Sequence, residues 1–196
     1  MHFVKKLLSS IALCAFAMLP AAQAATVTLP WVDSGSYDEF GNHRAVTTNY
    51  IAGNCTNCYG QSGVDFRNFF VFDTSALQGT VTSGILRLRN GYVAAEGLYS
   101  VYDVTTDVPA LRAGGFNKLS TFDDLGSGVL YGSAWVLPSD ITGRTFVDVV
   151  LSAAALAALN ASDGLFALGG NYAGAWHAFG GTDTDERRQL ILEVSA

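Results

Sequence analysis

The chain has 196 residues, of which 49% are hydrophobic and only 14% are charged, and its formal net charge at pH 7 is −6. This length suits one domain with a buried core, and the excess of acidic residues argues against nucleic acid and anionic membranes as partners, because both are bound through basic surfaces. The 21 glycines, the 12% of aromatic residues and the few charges are typical of a turn-rich β protein rather than a helical or disordered one.

The N-terminal residues have the order of a secretory signal peptide. Lys5 and Lys6 precede a mostly apolar run over residues 7–19, and the segment 22–24 (Ala-Gln-Ala) supplies the small residues that signal peptidase requires. The run of 13 residues would rise only about 20 Å as a helix, which is short of a hydrocarbon core about 30 Å thick. We therefore expect residues 1–24 to be removed, leaving a secreted protein, extracellular or periplasmic, with 25–196 as its single domain and no membrane span. Cleavage takes both lysines and leaves 9 basic against 17 acidic residues, a net charge of −8.

Strand-like segments recur along the rest of the chain with turn signals between them. The predicted strands are residues 26–31, 44–51, 66–73, 82–90, 98–104, 129–137, 144–151, 165–169 and 189–194. Leucine and arginine alternate over residues 86–89, which is the period of two expected when one face of a strand is buried. Residues 69–72 (Phe-Phe-Val-Phe) are apolar on both faces, which indicates a strand that is covered on each side.

Two short helices are predicted between the strands. Residues 107–114 begin with Asp107 as a capping residue and end at a glycine, and Ser152 caps an alanine-rich segment over residues 152–160. Helices of this length cannot cover a sheet, so parallel strands joined by crossover helices are not expected. The sequence therefore predicts an all-β fold, an antiparallel β-sandwich of jelly-roll-like architecture with one or two short helices.

Cys55 and Cys58 are the cysteines left after signal cleavage. In an oxidising compartment they are expected to form a disulfide that closes a tight loop. A zinc site would need two further ligands, and His43 and His177 are the only histidines in residues 25–196. A redox-active Cys-x-x-Cys pair normally begins a helix in a βαβ unit, which this sequence does not predict.

From residue 66 onward the order of segments resembles a known family. Residues 67–77 (Arg-Asn-Phe-Phe-Val-Phe-Asp-Thr-Ser-Ala-Leu) and 81–88 (Val-Thr-Ser-Gly-Ile-Leu-Arg-Leu) resemble the signature of DNRLRE-type domains, and residues 187–192 (Arg-Arg-Gln-Leu-Ile-Leu) are similar to their closing strand. The resemblance implies a jelly-roll module of a secreted bacterial or archaeal protein, a class in which some members bind polysaccharides. The chain also resembles the globular part of bacterial exported proteins with a Pro-Glu-Pro sorting tail, which this sequence lacks. The resemblance to DNRLRE-type domains implies no particular binding residue, since the ligand contacts of that family lie in variable loops.

Aromatic side chains in glycine-rich segments predict a sugar-binding surface, because flat apolar rings beside polar groups suit small-ligand recognition. The candidate ligand-binding residues are Tyr37, Tyr172, Trp176 and His177. The alternative is that Trp176 belongs to the core of a strand at one end of the sandwich.

A calcium site is predicted at Asp183, Asp185 and Glu186, because closely spaced carboxylates after two glycines can wrap a hard cation. The alternative is a solvated turn whose acids are neutralised by the two arginines that follow. We expect no other cofactor.

Catalytic motifs are weak in this chain. The sequence contains no Gly-x-Ser-x-Gly nucleophile elbow, and the acidic pair Asp123-Asp124 has the character of a solvated turn. We therefore predict no catalytic residues. The favoured hypothesis is an exported, non-catalytic β-sandwich protein that binds a glycan or extracellular matrix component. The alternatives are a structural or assembly subunit of the cell surface or matrix and, third, an extracellular enzyme acting on polysaccharide.

Overall fold

The computed structural model describes residues 24–43, 48–58, 60, 63–91, 95–139, 145–180 and 188–196. In these residues nine β-strands and three short α-helices are present. The strands are β1 (Ala24–Asp38), β2 (Gly53–Cys55), β3 (Val64–Asp73), β4 (Thr80–Arg89), β5 (Gly97–Asp103), β6 (Leu130–Val136), β7 (Phe146–Val150), β8 (Leu165–Gly174) and β9 (Arg188–Ser195). The helices are α1 (Val108–Ala113), α2 (Leu119–Asp124) and α3 (Ala153–Ala161). The signal-peptide prediction falls, apart from Ala24, outside the described residues and stays a prediction.

All strand pairs between these elements are antiparallel, and strand β1 joins two sheets. The first sheet has the order β1-β9-β4-β7, and the second has the order β1-β3-β8-β5-β6, with β2 on β3. This is the strand order of two interlocked Greek keys, which defines a jelly roll. The predicted antiparallel, jelly-roll-like sandwich is confirmed.

Strand β1 passes from one sheet to the other near its middle. Its residues up to Pro30 pair with β9, and from Trp31 onward they pair with β3, with a register shift between Trp31 and Asp33. Proline cannot donate to a strand ladder, so it suits the point at which a strand leaves one partner for another.

The outer strands of the two sheets, β6 and β7, come close to each other and nearly close the sandwich into a barrel. Ser152, the second residue after β7, donates its backbone N–H to Tyr131 O at 2.7 Å and its hydroxyl to Leu130 O at 3.1 Å. Gly132 makes the approach possible, since a side chain there would collide with the backbone of Val150. Neighbouring edges that cover each other are protected from pairing with foreign strands.

The main core lies between the sheets, where alternate residues of each strand point inward. Fully buried side chains that line it include Phe70, Phe72, Leu86, Leu88, Tyr99, Val101, Leu190 and Leu192. The inward orientation predicted for the leucines of residues 86–89 is confirmed.

A smaller core lies on the outer side of the second sheet. Phe69 and Val71 of β3 point away from the main core and pack with Leu111 of α1, with Phe122 of α2 and with Leu125, which directly follows α2. Burial of each such side chain contributes roughly 1.5–3 kcal/mol. The prediction that β3 is covered on both faces is confirmed, and α1 and α2 supply the second cover.

Both predicted helices are present, and α2 was not predicted. Asp107 accepts a hydrogen bond from Ala110 N at the start of α1, and Ser152 accepts one from Ala155 N at the start of α3. Helix α2 follows Lys118, which makes no side-chain capping bond, so the sequence carries no start signal there. None of the described helices is long and apolar enough to cross a membrane.

The predicted strand at residues 44–51 is wrong over 48–51, while 44–47 lie outside the described residues. Residues 48–51 are not in a strand because side chains satisfy their carbonyl groups. Thr48 O accepts hydrogen bonds from Ser34 Oγ and Arg188, and Tyr50 O accepts one from Asn68 Nδ2 at 2.9 Å. Backbone acceptors that are satisfied by side chains have no need of a neighbouring strand.

Candidate functional site

The sequence predicted Tyr37 to be an exposed aromatic residue in a loop. In the structure it belongs to β1 and is fully buried. Its ring packs in the smaller core, and its hydroxyl donates to Leu111 O at 2.8 Å. Burial raises the pKa of Tyr37 to about 12, so the hydroxyl stays protonated and holds α1 against the sheet. The expected ligand-facing position of Tyr37 is therefore corrected to a structural one.

The other three predicted ligand residues lie together at one end of the sandwich. Tyr172 is buried, and its hydroxyl donates to Ala95 O at 2.6 Å, whereas Trp176 is 41% exposed. His177 is half-buried, and burial lowers its pKa. Of these three side chains, Trp176 is the one that offers an aromatic face to solvent.

Cys55 and Cys58 form the predicted disulfide, with their Cα atoms 5.6 Å apart. The disulfide lies beside His177, because Ala52 and Ala178 exchange two backbone hydrogen bonds of 3.1 and 2.8 Å. The sulfurs and a ring nitrogen of His177 lie within 4.8 Å of one another. We call this arrangement of Cys55, Cys58 and His177 the disulfide end.

The predicted calcium ligands Asp183, Asp185 and Glu186 lie outside the described residues, and the calcium site stays a prediction.

The acidic pair Asp123-Asp124 belongs to the attachment of α2. Burial alone would raise the pKa of Asp124, but hydrogen bonds from Thr105 and Thr106 outweigh it and lower the pKa below its usual value. Those bonds, from both backbone N–H groups and the Thr105 hydroxyl, tie the connection before α1 to the end of α2. Arg67 stacks on the Phe122 ring at 4.2 Å and donates to Phe122 O at 2.9 Å, which fixes the same helix to β3.

The second sheet presents a strip of outward-facing side chains beyond the cover of α1 and α2. Trp135 pairs with Leu98, which pairs with Ala173, and Ser133 pairs with Ser100, which pairs with Asn171. Neighbours in such rows have Cβ atoms about 4.5–5.5 Å apart. We call the surface formed by these six residues the open strip.

Trp135 is the aromatic member of the open strip, and its side chain is 64% exposed. Helix α2 borders the strip, since Leu125 covers Gly169, which lies on the same face of β8 as Asn171. An exposed indole beside two hydroxyls and an amide can stack on a sugar ring and bond its hydroxyl groups.

Trp135 was missed as a site residue, although residues 129–137 were predicted as a strand. The sequence contains the signal: Ser133 and Trp135 are two residues apart, so both face the same side of β6. Serine is more often exposed than buried, so its position on that face favours a solvent-facing Trp135.

No protein-family model matches the chain, and no curated protein matches it either. The resemblance to DNRLRE-type domains stays a prediction from the segments quoted above.

Burial also lowers the pKa of His43, which is only 6% exposed, and this predicts acid sensitivity. The hydrogen-bond contact with Ser36 O and the charge of Asp33 raise the pKa, and Lys118 adds to the lowering, but burial is the largest cause. Because the folded-state pKa lies below about 6.5, the unfolded chain protonates first, and the free energy of unfolding falls as pH drops below that value. Above about pH 6.5 His43 contributes no pH dependence.

Chemical denaturation at a series of pH values between 7 and 5 measures this effect. In H43Q we expect a smaller loss of unfolding free energy over that range than in the wild type, whatever the absolute stability of the variant. An unchanged slope would contradict a role for the buried imidazole.

Proposed function

We propose that the protein is an exported, non-catalytic jelly-roll protein that binds a polysaccharide through the open strip. Trp135 carries this proposal, because its indole is 64% exposed on a sheet surface that also presents two serine hydroxyls and an asparagine amide, a combination that suits stacking on a sugar ring and hydrogen bonding to it. The predicted signal peptide and the Cys55–Cys58 disulfide support export to an oxidising compartment.

The position of Trp135 favours recognition over a purely structural role. Strand β6 is hydrogen-bonded to β5 on one side and is tied to Ser152 on the other, so the indole stands on a fixed backbone. A ligand that stacks on a ring already held in place has little backbone entropy to lose on binding.

The chemistry of the open strip favours an uncharged polysaccharide. Its six side chains carry no charge, and the mature chain has a predicted net charge of −8, which would repel an acidic polymer. Serine hydroxyls and an asparagine amide donate and accept hydrogen bonds, as the hydroxyl groups of neutral sugars require.

The substitution W135A tests the proposal. We expect the wild type to be retained by at least one neutral polysaccharide and W135A to bind it at least tenfold more weakly, which corresponds to about 1.4 kcal/mol. Retention on insoluble neutral polysaccharides, followed by titration of soluble oligosaccharides, measures the effect. Since Trp135 is largely exposed, the variant should unfold at nearly the wild-type temperature.

Trp176 provides a matched control, because it is also an exposed tryptophan but lies at the disulfide end. W176A should bind within about twofold of the wild type. Loss of binding in W176A alone would move the site to the predicted loop residues, and equal binding by W135A and the wild type would contradict the proposal.

A wild-type protein that no polysaccharide retains would favour the alternative of an assembly subunit. One feature supports that alternative: Phe40, Phe116 and Leu119 are 52%, 74% and 54% exposed. They share one corner, since Lys118 N donates to Gly41 O at 2.9 Å. Apolar side chains grouped on an exposed corner mark a contact with another surface.

A further inference from the structure

The disulfide end brings together three groups that ligate soft metal ions. Cys55 lies in β2, Cys58 follows it after a short turn, and His177 comes from the segment after β8. The sulfurs and the imidazole nitrogen lie within 4.8 Å of one another, although His177 is more than 100 residues from both cysteines along the chain.

The backbone holds the histidine in this position. Ala52 and Ala178 exchange backbone hydrogen bonds of 3.1 and 2.8 Å. Ala52 lies three residues before Cys55, and Ala178 directly follows His177. Gly53 permits the close approach, because a Cβ there would lie 2.8 Å from the Tyr172 ring and 3.0 Å from Trp176 O. The imidazole is therefore placed by the fold rather than by the disulfide.

We propose that reduction of the Cys55–Cys58 disulfide creates a binding site for one copper(I) ion, with both thiolates and the His177 imidazole as ligands. The inference is independent of polysaccharide binding, which is proposed for a different surface. Disulfide sulfurs are poor ligands, so the oxidised protein holds no such site.

The chemistry balances with a dithiol as reductant. The dithiol transfers two electrons and two protons to the disulfide, which becomes two thiols, and the reductant closes into its own cyclic disulfide. Binding of copper(I) then releases the two thiol protons and leaves two thiolates on the metal. Thiolates are soft ligands that favour copper(I), and imidazole accepts the same metal.

The geometry suits a three-coordinate ion. Ligands at about 2.0–2.3 Å from one metal lie roughly 4 Å apart, so rotamer changes of the three side chains suffice once the sulfurs separate. Cys58 and His177 are only partly buried, which leaves a path for the reductant and the ion. Zinc would have to complete its four-coordinate shell with a water molecule, because the described residues offer no further cysteine, histidine or carboxylate in this group, whereas copper(I) accepts three ligands.

Transfer of copper(I) from a chromogenic chelator under anaerobic conditions tests the proposal on the intact protein. We expect the reduced wild type to withdraw one equivalent and the oxidised wild type none. We expect the double variant C55S/C58S to withdraw none after reduction, and H177N to bind copper(I) at least tenfold more weakly than the wild type. W135A, which leaves the disulfide end intact, should match the wild type.

The comparison of reduced with oxidised wild type needs no substitution, so it does not depend on how well a variant folds. Failure of the reduced protein to withdraw copper(I) would overturn the proposal. So would equal affinity of H177N and the wild type, or preference of the reduced protein for zinc(II) over copper(I) in a parallel titration.

Discussion

Replacing Arg188 by methionine should lower the free energy of unfolding by about 3–5 kcal/mol, the largest effect we expect from any single side chain. Arg188 is fully buried at the start of β9, and its guanidinium donates to Ser34 Oγ and to Thr48 O. It lies between two aromatic rings, 4.0 Å from the centre of Trp31 and 4.6 Å from that of Tyr50. Methionine fills part of the volume but leaves Thr48 O without this donor and removes both cation–π contacts.

Two further variants separate the possible causes. R188K keeps the charge but has no planar group to stack between the rings, so we expect it to lose stability too, though less than R188M. R87M is the matched control, because Arg87 pairs with Asp148 on the surface at 2.6 Å with both side chains 36% exposed, and such pairs contribute about 1 kcal/mol or less.

Urea unfolding with the disulfide intact measures all three variants. A cost below about 1 kcal/mol for R188M would mean that the buried guanidinium is not a main support of this part of the sandwich. Equal costs for R188M and R87M would lead to the same conclusion.

Arg188 also shows where sequence reasoning reaches its limit. The strands around it were predictable, because Leu190, Leu192 and Val194 share one face of β9 and only one register buries that face. The irregular path of residues 48–51 could not be predicted, because it depends on hydrogen bonds from Arg188 and Ser34, which are distant from this segment in sequence. Local pattern fixes the period of a strand but not which carbonyl a remote side chain will satisfy.

Among the candidate site residues, too, some could be predicted from local sequence and others depend on contacts between distant segments. Trp135 could have been identified, because its phase with Ser133 is a local property of one strand. The burial of Tyr37 depends on helix α1, because the Tyr37 hydroxyl donates a hydrogen bond to Leu111 O of that helix. The local sequence around Tyr37 does not predict this contact. The approach of His177 to Cys55 depends on the pairing of Ala52 with Ala178, which only the three-dimensional arrangement of the chain establishes.

Gly170 is the second position where we expect a single substitution to have a large effect. It faces the main core from β8, and a Cβ there would collide with the Tyr99 hydroxyl and with Asn68 Oδ1. These two groups are hydrogen-bonded to each other at 2.7 Å, and Asn68 Nδ2 donates to Tyr50 O at 2.9 Å. G170A should therefore overpack the core and break a buried hydrogen bond, at a combined cost on the order of 3 kcal/mol.

The double variant Y99F/G170A distinguishes this cause from a general intolerance of alanine in β8. Y99F alone removes the hydroxyl and leaves Asn68 Oδ1 without its donor, at a cost of about 1–3 kcal/mol. In the double variant the added methyl still meets Asn68 Oδ1 and the ring at position 99, but the collision with the hydroxyl is removed and the hydrogen bond to Asn68 is lost only once. The cost of the double variant should therefore be at least about 1 kcal/mol smaller than the sum of the single costs. G164A is the matched control, because no atom lies within 4 Å of a Cβ at Gly164, and it should change stability by no more than about 0.5 kcal/mol. Additive costs for Y99F and G170A in urea unfolding would show that the Tyr99 hydroxyl is not what excludes a side chain at position 170.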